Sequence, residues 1–279
     1  MTDNKIKMNK SISQRRLIPT YIFLCLVSFV SVFPFWWMIS AATNRSIDVA
    51  NGRIMIGSYA AENFQALLQQ TSLWSAMGNS FKYAIIQTIL ALFICSLAGY
   101  GFELYHDKKK DLVFMILLLA MMVPQVATMI PQFKMISEMG MLNTVWGFIL
   151  PSISTPFLIM MFRQNSRNFP VDTLEASRIE GLSEFQIFLF MYLPMMKSTY
   201  AAAGVITFMN AWNAYLWPKV VMTDNSAQTM PMLIANLASG YTTDYGVLMM
   251  GVLFCSVPTM IVFFVLQKQF AEGMTGAVK

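Results

Sequence analysis

Hydrophobic positions fall into long blocks with no charge near their centres, separated by short polar stretches. Leu17–Ala42, Phe81–Leu104, Leu112–Phe133, Ser198–Met222 and Gly246–Gln267 each come close to or exceed the roughly 20 apolar residues that cross a bilayer as a helix. A sixth block, Thr144–Phe162, is shorter and interrupted by Pro151 and Pro156, but it carries no charge until its flanks. The pattern predicts an all-α integral membrane protein with six transmembrane helices, or five if the interrupted block is left out. Pro34 is a kink site in the first block. Pro124 and Pro131 in the third are each followed by glutamine. Prolines free backbone groups that lipid cannot satisfy, so this span is expected to face a cavity or a subunit contact. The second block ends in Ser96, Ala98, Gly99 and Gly101, small residues that let helices approach closely.

Charge supplies the orientation. With six spans, 14 of the 19 Lys and Arg residues lie on the side of the N-terminus and five on the other. The positive-inside rule then places both termini in the cytoplasm. This bias accounts for the net charge of +5 without a nucleic-acid partner. A content of 56% hydrophobic and 12% charged residues argues against a soluble domain, which carries about 25% charge. The first block is too long for a cleavable signal, whose apolar core is about 7–15 residues. Residues 1–73 are read as a tail, a first span and an outer loop in which Phe64, Leu67 and Leu68 share one helical face. Residues 74–268 form the core, and 269–279 a cytoplasmic tail. Asn79 or Ser80 is placed as cap of the second span. Cys25, Cys95 and Cys255 lie in separate spans without metal spacing, His106 sits beside a lysine run, and no metal site is expected.

The inner loop 164–198 breaks the apolar pattern. It holds Arg167, Asp172, Glu175, Arg178, Glu180, Glu184 and Lys197. Inserting these into a bilayer at about 2.5–3.5 kcal/mol each costs on the order of 20 kcal/mol, so the loop sits in water or against protein. Its grammar is helix–turn–helix. Pro170 opens a helix, Asp172 favours its first turn, and Glu175 can pair with Arg178. Gly181 stops it. Ser183 caps a second helix with Gln186 at the capping-box position. That helix is apolar (Phe185, Ile187, Phe188, Leu189, Phe190, Met191) and ends at Pro194. Physical reasoning leaves two readings, an elbow that joins two spans or a docking element that fits a partner's groove.

A resemblance separates them. Glu175-Ala176-Ser177, three residues, Gly181, nine residues, Met191, one residue, Leu193-Pro194 resembles the EAA loop of ABC importer permeases. It departs from that pattern at Ser177, where the family has Ala, and at Met191, where it has Ile. "MMVPQVATMIPQFKMISEMGMLNTVWGFILP", "FMNAWNAYLWP" and "GMTGAVK" are similar to the second, shorter permease of maltose-type carbohydrate importers. The likeness covers most of the chain from Trp74 onward. It implies a type I ABC importer permease fold in the bacterial cell membrane, with a second permease subunit, two ABC ATPase subunits and an extracytoplasmic solute-binding protein as partners. No cofactor belongs to this chain itself; ATP and Mg belong to the ATPase. Asp172, Glu175, Ala176, Ser177, Arg178, Gly181 and Ser183 are then the ATPase-coupling residues. The tail Gly273–Lys279 is a further candidate contact.

The residues themselves agree with an external motor. There is no G-x-x-x-x-G-K-S/T phosphate loop, so no catalytic role is expected, and no span has an ionisable residue at its centre of the kind ion-coupled carriers use. Neutral polar groups gather in the fifth span. Asn210 and Asn213, with Trp212 between them, suit a neutral polyhydroxy ligand; packing between helices is the competing role. A non-sugar solute, or an ion-coupled carrier acting alone, remains the alternative function.

Overall fold

The computed structural model describes the backbone of residues 2–274 and the side chains of 17–267, in both cases without His106 and Tyr241. His106 and residues 275–279 of the tail therefore lie outside the described residues. In chain order the helices are α1 (Thr2–Ala42), α2 (Ser46–Ala50), α3 (Ala60–Gln70), α4 (Leu73–Leu104), α5 (Lys108–Ala120), α6 (Gln125–Glu138) and α7 (Val145–Ile149). Then follow α8 (Pro156–Ser166), α9 (Val171–Ile179), α10 (Glu184–Ile187), α11 (Leu193–Met195), α12 (Lys197–Trp212), α13 (Leu216–Val221), α14 (Met230–Ala238) and α15 (Tyr245–Met274). No strand occurs among the described residues.

Three of the six predicted spans are unbroken: Leu17–Ala42, Leu73–Leu104 and Tyr245–Gln267. The others are interrupted. α5 and α6 meet at 102°, and the segments Val145–Ser152 and Pro156–Ser166 at 52°. Pro124, with no N–H to give and with φ −60°, ψ 128°, ends the first of these runs. The predicted span Ser198–Met222 is a 16-residue helix, α12, then an unwound stretch at 213–215 and the six-residue α13. The first helix, in contrast, runs through Pro34.

The chain divides into two units, Met1–Gln70 with Gly240–Leu253, and Thr71–Ser239 with Phe254–Lys279. In the first, Asn44 Nδ2 donates to Ser40 O (2.8 Å) and Met55 O (2.7 Å). Asn63 Nδ2 donates to Ala42 O (2.8 Å) and Asn44 O (2.9 Å). α3 is amphipathic as expected, with Leu67 fully buried and the glutamines outside, but Leu68 is exposed.

In the second unit α4 is the mast. Buried clusters succeed one another along it, around Tyr83 with Phe148 and Trp217, around Ala91 and Cys95 with Phe162, and around Tyr100 with Leu174, Phe188 and Tyr192. Asn79 and Ser80 do not cap this helix, which starts at Leu73. They lie inside it and fasten the segment after α13. Asn79 Nδ2 donates to Ser226 O (2.7 Å), and Ser80 Oγ accepts from Met230 N (2.8 Å).

Candidate functional site

The elbow between α8 and α12 is built from local signals. α9 starts after Pro170 and carries Asp172 in its first turn. At its end Leu182 N–H donates to Ser177 O (3.1 Å) and Gly181 N–H to Arg178 O (3.0 Å), the paired bonds of a Schellman stop. Gly181 has φ +84°, a conformation that costs any residue with a Cβ. Ser183 then forms the expected capping box. Its Oγ accepts from Gln186 N (3.4 Å), and its N–H donates to Gln186 Oε1 (2.8 Å).

Pro194 does not end the helix that follows. Phe188–Tyr192 is a π-helical turn, with Leu193 N–H bonded to Phe188 O, and the helix continues through α11. Proline at 194 has no N–H for the carbonyl four residues back. The wider turn re-registers the hydrogen bonds around it. The break falls at Met196, with φ −92° and ψ 16°.

Leu174 and Ser177 face inward. Leu174 joins Tyr100, Ile187, Phe188 and Tyr192 in a buried cluster, and Ser177 Oγ donates to Thr173 O (2.7 Å). Asp172, Glu175, Ala176 and Arg178 are exposed, as are Gly181 and Ser183. Between them Val171 and Ile179 are also exposed, Ile179 to 88%. The elbow thus presents an outward ridge that mixes charge and bare apolar surface.

Its ion pairing differs from expectation. Arg178 reaches across the glycine turn to Glu184, Nε to Oε1 at 2.8 Å, and Glu175 makes no ion pair among the described residues. The Schellman turn folds the start of α10 back beside the last turn of α9, which brings Glu184 to Arg178. Tyr105, just past α4, donates its hydroxyl to Glu184 Oε2, and the Arg178 guanidinium lies 5.5 Å from the Tyr105 ring. The tyrosine bond, then Arg178, holds the Glu184 carboxyl below the usual carboxylate range. Sequence reasoning missed Tyr105 and the partnering role of Glu184. Glu184 follows the cap residue and was legible as a first-turn acid, but Tyr105 is 79 positions away and gives no local signal. Nearby, Arg163 binds Glu103 (3.1 Å) and Asp111 (2.6 Å), which ties α8 to the ends of α4 and α5.

Farther along α4 lies a cavity of about 910 Å³. Asn210 and Asn213 line it, as do Gln125 and Gln132, the glutamines that follow the two prolines of the third block. Trp212 does not line it. It is 1% exposed, packs against Phe81 and Phe208, and its indole N–H donates to Cys255 O (3.0 Å). Residues at 210 and 213 share a helix face and 212 points elsewhere, so the structure separates the three candidates. Asn213 Nδ2 donates to Met209 O (2.9 Å), which leaves its carbonyl oxygen for the cavity. Trp217 is buried and donates to Gly147 O (3.0 Å) and Phe148 O (3.2 Å); it is a strut between α13 and α7.

Comparison with known proteins places this geometry. Residues 91–276 match a family described as binding-protein-dependent transport system inner membrane component. The lactose transport system permease protein LacG of Rhizobium radiobacter is 42% identical over 268 residues, covering 95% of this chain and 98% of that protein. The arabinooligosaccharides transport system permease protein AraQ of Halalkalibacterium halodurans is 32% identical, covering 91% and 93%. A chain of a bacterial ABC transporter involved in the import of the acidic polysaccharide alginate has the same fold, with a TM-score of 0.82 at 19% identity, covering 92% of this chain and 98% of that one.

Proposed function

Because the chain belongs to the binding-protein-dependent transport system inner membrane components, we propose that it is the permease subunit of an ATP-driven importer for a sugar or oligosaccharide. The names of its relatives at 42% and 32% identity, a lactose and an arabino-oligosaccharide permease, support that cargo. In this reading a solute-binding protein delivers the sugar outside, a second permease completes the pathway, and two ATPase subunits hydrolyse ATP at the cytoplasmic face, where both termini lie.

The elbow carries the reading. Its exposed ridge, Val171, Asp172, Glu175, Ala176 and Ile179, offers both apolar area and charge to a cleft on the ATPase. Leu174 on the opposite face anchors it to the cluster around Tyr100 on α4. The same helix borders the cavity at Gln87, thirteen residues or about 20 Å away at 1.5 Å per residue. Movement of the elbow therefore acts on the cavity wall through one continuous helix, with Tyr105, Glu184 and Arg178 bracing the joint. This chain binds, orients and gates; the covalent step belongs to the ATPase.

The test is Gly181→Pro in the complete transporter. Proline cannot adopt φ +84° and removes the N–H bonded to Arg178. Membrane insertion is expected to persist while sugar uptake is abolished. Normal uptake by this variant refutes the coupling role.

A further inference from the structure

Gln87 carries an amide on the wall of the cavity. It lies mid-way along α4 and is 6% exposed. No hydrogen bond from its side chain to any described residue is formed, in contrast to the other buried amides Asn44, Asn63 and Asn79. The side chain lines the 910 Å³ cavity, and its amide atoms are open to that space rather than sealed in the core. The same wall brings up Gln125, Gln132, Asn210 and Asn213, and no Asp, Glu, Lys, Arg or His is among the lining residues. The volume falls within the roughly 300–1,000 Å³ typical of small-molecule sites. Aromatic faces are present too, with Phe148, Tyr215 and Trp217 on the lining.

We infer that Gln87, with the amides of Gln132 and Asn210, forms a hydrogen-bonding subsite through which this chain itself holds an uncharged polyhydroxy ligand. The inference rests on the sugar-permease reading and adds a site and a selection rule to it. Amides donate and accept, which matches a hydroxyl's own dual capacity, and aromatic faces suit the apolar faces of sugar rings. An anionic cargo needs a cation to replace its hydration, and the cavity supplies none. Selection against sugar phosphates and uronic acids is therefore built into the lining of this chain, in addition to any choice made by a binding protein.

The test uses the purified permease–ATPase complex in detergent, without binding protein. Equilibrium binding is measured for whichever neutral sugar the intact system imports from a panel of lactose and arabino-oligosaccharides, and for its monodeoxy analogues. Gln87→Leu keeps the bulk and removes the amide. It is expected to weaken binding about five- to tenfold, the worth of one or two neutral hydrogen bonds, and to erase the preference for the parent sugar over one deoxy analogue. A merely structural glutamine leaves that ranking intact. Should Gln87→Leu lower the yield of complex, Gln132→Leu on the same wall carries the same test.

Wild-type affinity and an unchanged deoxy ranking in both variants overturn the inference and leave water as the occupant. Tighter binding of glycerol 3-phosphate or a uronic-acid disaccharide than of the neutral sugar overturns it as well, as does import without measurable binding to the wild-type complex. If the intact system imports no sugar at all, it is the sugar-permease reading that fails.

Discussion

Gly99 sits on α4 where α8 crosses closely, and replacing it with alanine isolates the value of that approach. A Cβ at 99 would lie 2.6 Å from Phe162 Cβ and 2.8 Å from Arg163 N. Neither neighbour is the tip of a flexible side chain, so the helices must part by about 0.8 Å to reach an ordinary 3.4 Å contact. Overpacking of this kind costs about 1–3 kcal/mol, and contact with backbone puts it near the upper end. Alanine's better helix propensity returns about 1 kcal/mol, for a net loss of about 2 kcal/mol. Gly101, two residues on, has no atom within 4 Å of its would-be Cβ, so Gly101→Ala keeps only the propensity gain. The two substitutions are chemically identical and should differ by about 3 kcal/mol. Thermal unfolding of the purified protein in detergent reads this directly, with Gly99→Ala melting well below wild type and Gly101→Ala at or above it. Because Arg163 moves with the strain, its pairs with Glu103 and Asp111 should loosen too. Equal melting temperatures for the two variants refute the close-approach argument.

Two further outcomes are expected. Glu184 has its folded pKa depressed by the Tyr105 bond and then by Arg178; its contribution to holding the elbow is present above its ordinary pKa of 4.5 and is lost as pH falls through the lower folded value. Amide exchange across residues 181–186, measured by mass spectrometry, should quicken only in acid below that range, and Glu184→Gln should remove the pH step; a step that survives the substitution counts against the brace. Trp217→Phe removes a buried indole N–H shared by two carbonyls and should destabilise by about 1–3 kcal/mol, seen as a lower melting temperature; a change within noise means that the strut carries nothing.

The sequence reading succeeded where a few neighbouring residues decide the outcome. The glycine stop at 181 and the Ser183–Gln186 box are closed by residues within five positions of one another. The prolines at 151 and 156 announced the interrupted fourth block for the same reason, whereas the 102° break at Pro124 falls in a block read as one span. It failed where a turn or a distant segment supplies the partner. Arg178 stood three residues from Glu175, but the glycine turn delivers Glu184, six residues on, in better position. Asn79 and Ser80 had the composition of caps, yet their partners are about 150 residues distant. At Pro194 the π-helical turn absorbed a break that proline normally imposes.

The sequence by itself determined the membrane class, the number of apolar blocks, the charged elbow and its family likeness, because hydropathy and helix-stop signals act over one or two turns. Only the tertiary structure decided that Trp212 packs while Asn210 and Asn213 line a cavity. It alone set Tyr105 against Glu184 and placed Gln87, whose amide has no partner among the described residues, on a helix that also holds the elbow. Those facts depend on which distant backbones meet, and a pattern of local preferences does not encode that meeting residue by residue.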